Sequence, residues 1–503
     1  MDKRVCNIFR RQNYKNILIC AKFFVPLCPN CVKKVKIASK DIQNYFFLGI
    51  GGIGMSALAR YFHHAGFRVY GYDRIPSALT KELEDAGITI TYTDAECQVQ
   101  SLGLSALDTL VVRTPAVPED SVIYTYLREQ GFEIMKRAEV LGQVTRQKKA
   151  LCVAGTHGKT TTSTMIAHLM KPVNAFLGGI CMNDHTNLLL SEDSPYVVVE
   201  ADEYDRSFHH LTPYISVVTA VDADHLDIYG TAEAYRDAFA HYTGLITGAL
   251  VMKKGIELKP RLQEGVKCYT YGVVEPSAED TPSSCLPDFY AHNIRVTNGQ
   301  IFFDFHTPGE PIRDIRLGVP VWVNIENAAA AMTVALLVGV PVEQIKERVA
   351  SFEGVWRRFN IHVNTPDVTY IDDYAHHPQE IASTIDSIRK LFPGRKLIGI
   401  FQPHLYTRTR DFADGFASVL STMDEVVLLP IYPAREEPIA GVDSEMLLHK
   451  MTHPRACVVQ KEELVRFVQQ RVAACTEPVV LLTVGAGDID RLVPLLAESL
   501  HIN

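Results

Sequence analysis

Gly155, Thr156, His157, Gly158, Lys159, Thr160 and Thr161 run consecutively from the end of a short apolar stretch, Leu151 to Ala154, into a helical pattern that reaches Met170. A strand, a glycine turn and then Lys-Thr at a helix start is how a chain builds a polyphosphate cradle. Backbone N–H groups and the positive helix end face the anion, the lysine reaches the outer phosphates, and the threonine hydroxyl meets Mg²⁺. The loop is one glycine short of the widespread form, because Val153 stands six positions before Lys159. Further along, Tyr196-Val-Val-Val-Glu200-Ala-Asp202-Glu203 sets carboxylates at the carboxyl end of a second apolar strand. Open α/β sheets bind ligands at that edge, so an oxygen ligand for Mg²⁺ is expected there. Asp222-Ala-Asp-His-Leu-Asp227 follows the next strand and places His225 among three carboxylates, a candidate metal ligand. Arg357-Arg358-Phe359 reads as either a surface pair or a phosphate clamp.

A second cradle lies upstream. Tyr45 to Leu48 reads as a strand that enters Gly49-Ile-Gly-Gly-Ile-Gly-Met-Ser56, and Ala57 to Ala65 continues as a helix. Val69 to Asp73 is a further strand, ending in an acidic residue about twenty positions after the glycines, as in a Rossmann-like βαβ unit. Leu110-Val-Val reads as a later parallel strand stopped by Thr114-Pro115. Residues 196–200 and 215–219 are continuous apolar runs, the mark of parallel strands buried on both faces. Residues 288–316 alternate instead and look antiparallel, with Asn298-Gly299 as a hairpin turn. Ile325 to Val338 forms an alanine-rich helix, and beyond Arg357 strands at 397–401, 426–430 and 479–484 alternate with helices. The fold class expected is α/β in three domains: a Rossmann-like unit over 41–149, a central P-loop-type unit with a mostly parallel sheet over 150–356, and a Rossmann-like unit over 357–503.

At 503 residues the chain exceeds one core, and 47% hydrophobic with 21% charged residues describes a globular protein. A formal net charge of −8 argues against a nucleic-acid partner, which calls for a basic face. No apolar run approaches the roughly 20 residues of a membrane helix, so no membrane insertion is expected. The eleven cysteines are scattered, and Cys152, Cys181 and Cys457 sit in apolar surroundings, which favours a reduced, cytoplasmic protein. Cys28 and Cys31 are the one close pair, without a second pair at zinc-ligand spacing. Residues 1–40 form a basic arm, expected to be disordered or an artefact of the start site, with a shorter product beginning at Val32 or Val35.

Taken together, these segments resemble the Mur ligases from about residue 42 onward. The markers are the two glycine loops, Glu200-Ala-Asp-Glu-Tyr-Asp205, Asp224-His-Leu-Asp227, Asn324-Ile-Glu-Asn327 and Arg357-Arg-Phe359. They continue with Asp372-Asp-Tyr-Ala-His-His-Pro378, Gln402-Pro-His-Leu-Tyr-Thr-Arg-Thr409, Tyr432-Pro-Ala-Arg-Glu-Glu-Pro438 and Gly485-Ala-Gly-Asp488. The short phosphate loop is this family's own form. The resemblance implies an ATP- and Mg²⁺-dependent ligase of peptidoglycan precursor synthesis, joining L-alanine to the lactyl carboxylate of UDP-N-acetylmuramate through an acyl phosphate. It implies Lys159, Glu200, His225, Arg358 and Asp373 as catalytic residues, with Thr160, Glu200 and His225 toward metal. Asn324 and Asn327 join the phosphate loop as ATP contacts. Gly49, Gly51, Gly52, Gly54, Met55, Ser56, Asp73 and Thr114 would hold the UDP-sugar, and His376, His404 and Arg408 the amino acid. A monomer or weak homodimer is expected.

Three positions depart from the family pattern: Ala220 for a frequent Asn, Val323 for a frequent His, and Leu405 for a frequent Arg. These bear on adenine and alanine contacts, not on the phosphate chemistry. The alternatives are a sister ligase that attaches a preformed peptide to the same sugar nucleotide, a dinucleotide-dependent oxidoreductase and a non-catalytic scaffold. The second phosphate loop speaks against an oxidoreductase, and the chemically intact Lys159, Glu200, His225, Arg358 and Asp373 against a scaffold.

Overall fold

Three β-sheets carry the candidate loops at the carboxyl ends of their strands. The computed structural model describes residues 41–222, 226–274, 285–297, 299–434, 436–452 and 455–500. The basic arm, Cys28, Cys31 and His225 lie outside the described residues.

The first sheet has five parallel strands in the order Thr89–Thr91, Arg68–Tyr72, Asn44–Leu48, Thr109–Arg113, Glu133–Lys136. Strand order reverses beside Asn44–Leu48, and that switch point opens a crevice at the carboxyl edge. Gly49 and Thr114 sit on its two sides. The following helix is Ile53–His64, so it starts inside the glycine loop and not at Ala57 as the sequence pattern predicts. The early start leaves the N–H groups of its first turn without intrahelical partners at the crevice.

The central sheet has ten strands, running Ile312–Arg316, Gln300–His306, Phe289–Thr297, Lys267–Val273, Ala249–Lys253, Pro213–Val218, Lys149–Ala154, Tyr196–Glu200, Asn174–Cys181, Thr186–Leu189. Its middle is parallel and its two edges are antiparallel. The strand Lys149–Ala154 explains why its run is apolar throughout. Leu151 and Val153 join a core shared with the C-terminal unit, whereas Ala150, Cys152 and Ala154 join a core shared with the N-terminal unit. Both faces are covered from Ala150 to Ala154, so each of those positions is apolar; only Lys149, at the exposed start, is not. The alanine-rich helix Trp322–Leu337 packs against the phosphate-loop helix Lys159–Leu169, and small side chains allow that close approach. Thr297 pairs with Gln300 across the hairpin that the alternating pattern predicts.

The third sheet runs Asn360–Asn364, Val368–Asp373, Val479–Val484, Lys396–Phe401, Glu425–Leu428, Ala456–Val458, parallel except for its first pair. Among the described residues no helix is long and apolar enough to cross a membrane.

Candidate active site

The phosphate loop leaves the strand Lys149–Ala154 at Gly155 (φ +139°) and enters its helix through Gly158 (φ +78°). Side chains rarely adopt these values, and a Cβ on Gly155 would fall 2.8 Å from the Ala220 nitrogen. Lys159 folds back over the loop. Its Nζ donates to the Gly155 carbonyl at 2.6 Å and to Glu203 Oε1 at 2.8 Å. Glu203 is only 2% exposed, and burial pushes its carboxyl up to about 7 against the pull of Lys159. Burial works against the charge on Lys159 too, but Glu203 and Glu200 outweigh it and leave the lysine pKa raised. The lysine is thus held by a carboxylate at the loop where an anion is expected. The sequence places Glu203 among the strand-end carboxylates; its burial beside Lys159 is a tertiary fact.

Glu200 lies one strand over. Burial raises its pKa, opposed by Lys159 and by the Thr160 hydroxyl that donates to it. Its Oε2 is buried without a hydrogen-bond partner among the described residues. A Cβ on Gly178 would stand 2.1 Å from that oxygen, so glycine in the neighbouring strand is what lets the carboxylate lie there. An orphaned carboxylate oxygen beside a threonine hydroxyl fits a hard divalent cation, and Mg²⁺ needs few protein ligands because it keeps water. Thr160 and Glu200 would hold it. His225, also expected at the metal, lies outside the described residues.

Asn324 and Asn327 are both 6% exposed. Asn327 donates to Asn324 Oδ1 at 3.0 Å and accepts from Thr162 at 3.1 Å, with its amide oxygen packed on Gly158. The pair therefore buttresses the loop, and in this conformation its polar atoms are spent on the protein. Thr156 donates to the Asp222 carbonyl at 2.8 Å. Thr161 is half-buried in the first turn of the helix, and Val323 is 44% exposed on the start of the neighbouring one.

In the N-terminal crevice, Gly49 has φ +83° and abuts Thr114, whose methyl would lie 2.5 Å from an added Cβ. Asp73 turns onto the loop and accepts the Gly51 N–H at 2.7 Å. The acidic residue thus shapes the cradle in this structure, where the sequence pattern assigns it to the ligand. Met55 and Ser56, at the start of the same helix, bury their side chains in the core, with Ser56 Oγ donating to the Ile53 carbonyl at 2.9 Å. Gly52 is the residue before the helix and Gly54 lies in its first turn. Arg137, which sequence reasoning missed, packs its guanidinium on Gly54 and pairs with Asp202 at 3.1 Å. It joins the first cradle to the acidic strand end of the second.

The third sheet completes the site. Of the two arginines, Arg357 is internal: it pairs with Asp372 at 3.1 Å and donates to the Gly485 carbonyl at 2.6 Å. Arg358 is half-buried over the Tyr374 ring, and its charge is felt at Glu200, Asp373 and Glu380. Arg357 and Phe359 flank it at φ +60° and +55°, strained values for residues with side chains. Asp373 accepts from Thr384 at 2.9 Å and from the Ala375 N–H at 3.1 Å, and burial pushes its carboxyl up to about 6. His376 and His404 come together with ring centres 6.2 Å apart, and the Arg408 charge reaches His376. Leu405 has φ +68°, a strained start to the short helix Tyr406–Asp411 that carries Arg408. Glu380, another residue the sequence did not single out, faces His157 of the phosphate loop at 3.6 Å.

Two anion cradles joined through Arg137, with a third sheet closing on one of them, define a multidomain α/β enzyme that uses nucleotides. Family models described as "Mur ligase family, catalytic domain", "Mur ligase middle domain" and "Mur ligase, glutamate ligase domain" match residues 44–149, 153–335 and 357–487. A UDP-N-acetylmuramate–L-alanine ligase of Parabacteroides distasonis is 56% identical, covering 90% of this chain and 96% of its own. One from Porphyromonas gingivalis is 50% identical over 90% and 98% of the two chains. The crystal structure of UDP-N-acetylmuramate-alanine ligase from Thermotoga maritima superposes with a TM-score of 0.74 at 28% identity, covering 91% of this chain and 99% of that one. The chain belongs to the Mur ligase family, whose members are ATP-dependent ligases.

Proposed function

We propose that this chain joins L-alanine to UDP-N-acetylmuramate at the expense of ATP, a step in making peptidoglycan precursors. What supports the reading best is the run of contacts that links the glycine cradle, the phosphate loop and the His376–His404–Arg408 group, in a chain aligned nearly end to end with relatives bearing that name. The units are taken as 41–149 for the sugar nucleotide, 150–356 for ATP and 357–503 for the amino acid and for closure. A cytoplasmic location goes with these substrates.

A lactyl carboxylate oxygen attacks the γ-phosphorus, and ADP leaves. The alanine nitrogen then attacks the acyl-phosphate carbon, loses a proton, and expels inorganic phosphate as the amide forms. Lys159 exchanges Glu203 for the γ-phosphate and neutralises its charge. Mg²⁺ held by Thr160 and Glu200 would supply further charge neutralisation on the phosphates. Arg358 brings a cation from the third sheet, and Arg408 pairs with the alanine carboxylate. The first-turn N–H groups of Ile53–His64 face the sugar-nucleotide diphosphate. Closing the third unit over the loop excludes water, which would otherwise hydrolyse the acyl phosphate.

Phosphate release is the test, measured with ATP, Mg²⁺ and UDP-N-acetylmuramate, with and without L-alanine, and with the preformed peptide as the rival acceptor. Release that requires alanine is expected; release with the peptide alone would move the chain to the sister reaction.

A further inference from the structure

We propose that Glu380 is a positioning residue that couples the phosphate loop to the amine pocket, so that the amino acid is held in register when the third unit is seated on the ATP loop. The proposal rests on the functional reading above.

Glu380 occupies the first turn of the helix Pro378–Leu391, where Pro378 sets the helix start and an acidic side chain suits the helix dipole. That placement alone would give it a merely structural part. Its two oxygens argue for more, because they serve different units. Oε1 lies 3.6 Å from His157 Nδ1 in the phosphate loop, whereas Oε2 accepts the His376 N–H at 2.9 Å and lies 3.5 Å from the His376 ring. One carboxylate therefore bonds a residue of the amine pocket and stands against a residue of the ATP loop, at ion-pair distance and short of a hydrogen bond.

The ring of His376 is oriented by the same corner. Its Nδ1 meets the Tyr374 carbonyl at 3.0 Å, and a carbonyl only accepts, so Nδ1 carries the proton and Nε2 presents a lone pair. The His404 ring stands beside it at a steep angle, 70°. Burial lowers the His376 pKa against the pull of Glu380 and keeps the ring neutral. Burial also opposes the charge on Glu380, yet the His157 contact, the Arg358 charge and the backbone N–H of His376 outweigh it and hold the carboxyl well below its ordinary range. A charged carboxylate shared by two histidines, each on a different unit, transmits the position of one to the other. An amide of the same size keeps the shape but loses the charge.

The experiment compares wild type, Glu380→Gln, Glu380→Asp, His157→Ala and the His157→Ala/Glu380→Gln double variant. Steady-state kinetics in L-alanine are run at saturating ATP and UDP-N-acetylmuramate, with UDP-N-acetylmuramate binding measured separately by calorimetry. E380Q is expected to raise the KM for L-alanine roughly tenfold, the scale of a lost charge-assisted hydrogen bond, with sugar-nucleotide affinity unchanged. Glu380→Asp should recover part of that loss. His157→Ala should raise the same KM, and the double variant should be no worse than the poorer single, since both cut one link. An unchanged alanine KM in E380Q, or single effects that multiply in the double variant, would overturn the proposal. So would loss of sugar-nucleotide binding in E380Q, which marks a structural part alone. A wild-type protein silent with alanine overturns the functional reading and this inference with it; an active wild type with an indifferent E380Q overturns the coupling alone.

Discussion

Lys159 shows how one side chain links loop, charge and turnover. Its partner in the structure is Glu203, and the γ-phosphate is to replace that partner. Lys159→Ala should abolish phosphate release while leaving UDP-N-acetylmuramate binding near normal in calorimetry. Loss of sugar-nucleotide binding would show that the two cradles are wrongly assigned. Glu203→Gln leaves Lys159 buried without its ion pair and should lower thermal stability by roughly 1–3 kcal/mol in the ligand-free state. A non-hydrolysable ATP analogue should shrink that loss, because phosphate oxygens take over the lysine. Equal losses with and without the analogue would sink the exchange. Asp373 makes a prediction about pH. Its carboxyl is raised from 3.8 to about 6, with burial the leading cause. Near pH 4 both folded and unfolded states hold much of the proton, so the cost of burial is small. The cost grows as pH rises and is complete above the folded pKa of about 6. Asp373→Asn should therefore stabilise the ligand-free protein near pH 8 by at most about 3 kcal/mol, and little near pH 4, while activity falls. Melting curves at both pH values decide it, and an equal shift at each would contradict the burial argument.

At the scale of elements, strand ends place the carboxylates and glycines decide how near they come. Tyr196–Glu200 is short and apolar, and its last residue emerges beside the phosphate loop because parallel pairing with Lys149–Ala154 sets Glu200 opposite Val153. Gly178, in the strand on the other side, leaves room for the Glu200 carboxylate. Gly178→Ala should push that carboxylate aside and raise the Mg²⁺ concentration needed for half-maximal activity several-fold, with UDP-N-acetylmuramate binding intact. An unchanged Mg²⁺ titration would remove Glu200 from the metal. These strands were legible because both-face burial forces continuous apolar runs, and the loops because few residues tolerate their backbone angles. The helix Ile53–His64 was legible only in its later turns. Its glycine-rich start carries no apolar period, so the pattern placed the boundary too late. Asn324 and Asn327 announced themselves by spacing, but spacing does not tell a ligand contact from a loop buttress.

Across the whole molecule each outer unit shares an apolar core with the central one, and polar contacts cross the same seams. Asn187, fully buried in the central sheet, donates to the Ile53 carbonyl at 2.5 Å and bonds Arg60. This pins the first cradle to the central unit, as does a shared apolar core. The third unit meets the phosphate loop through the His157–Glu380 contact and the reach of Arg358. Ligands bound between units stabilise the arrangement that places both in contact. Addition of an ATP analogue together with UDP-N-acetylmuramate should therefore lower the radius of gyration in X-ray scattering. No change on adding both would mean that the ligand-free arrangement is already closed.

The two cradles, the acidic strand ends and the order of the three units were determined by the sequence itself. Their signals are local: glycines where the backbone turns, lysine and threonine at a helix start, apolar runs for strands covered on both faces. Tertiary structure alone decided which carboxylate holds Lys159, which of two adjacent arginines enters the site, and that Glu380 and Arg137 belong to it at all. Those assignments depend on burial and on contacts between residues far apart in the chain, such as Arg137 with Asp202 and His157 with Glu380. An exposed and a buried carboxylate are written with the same letter, and only packing removes the water that separates their chemistry.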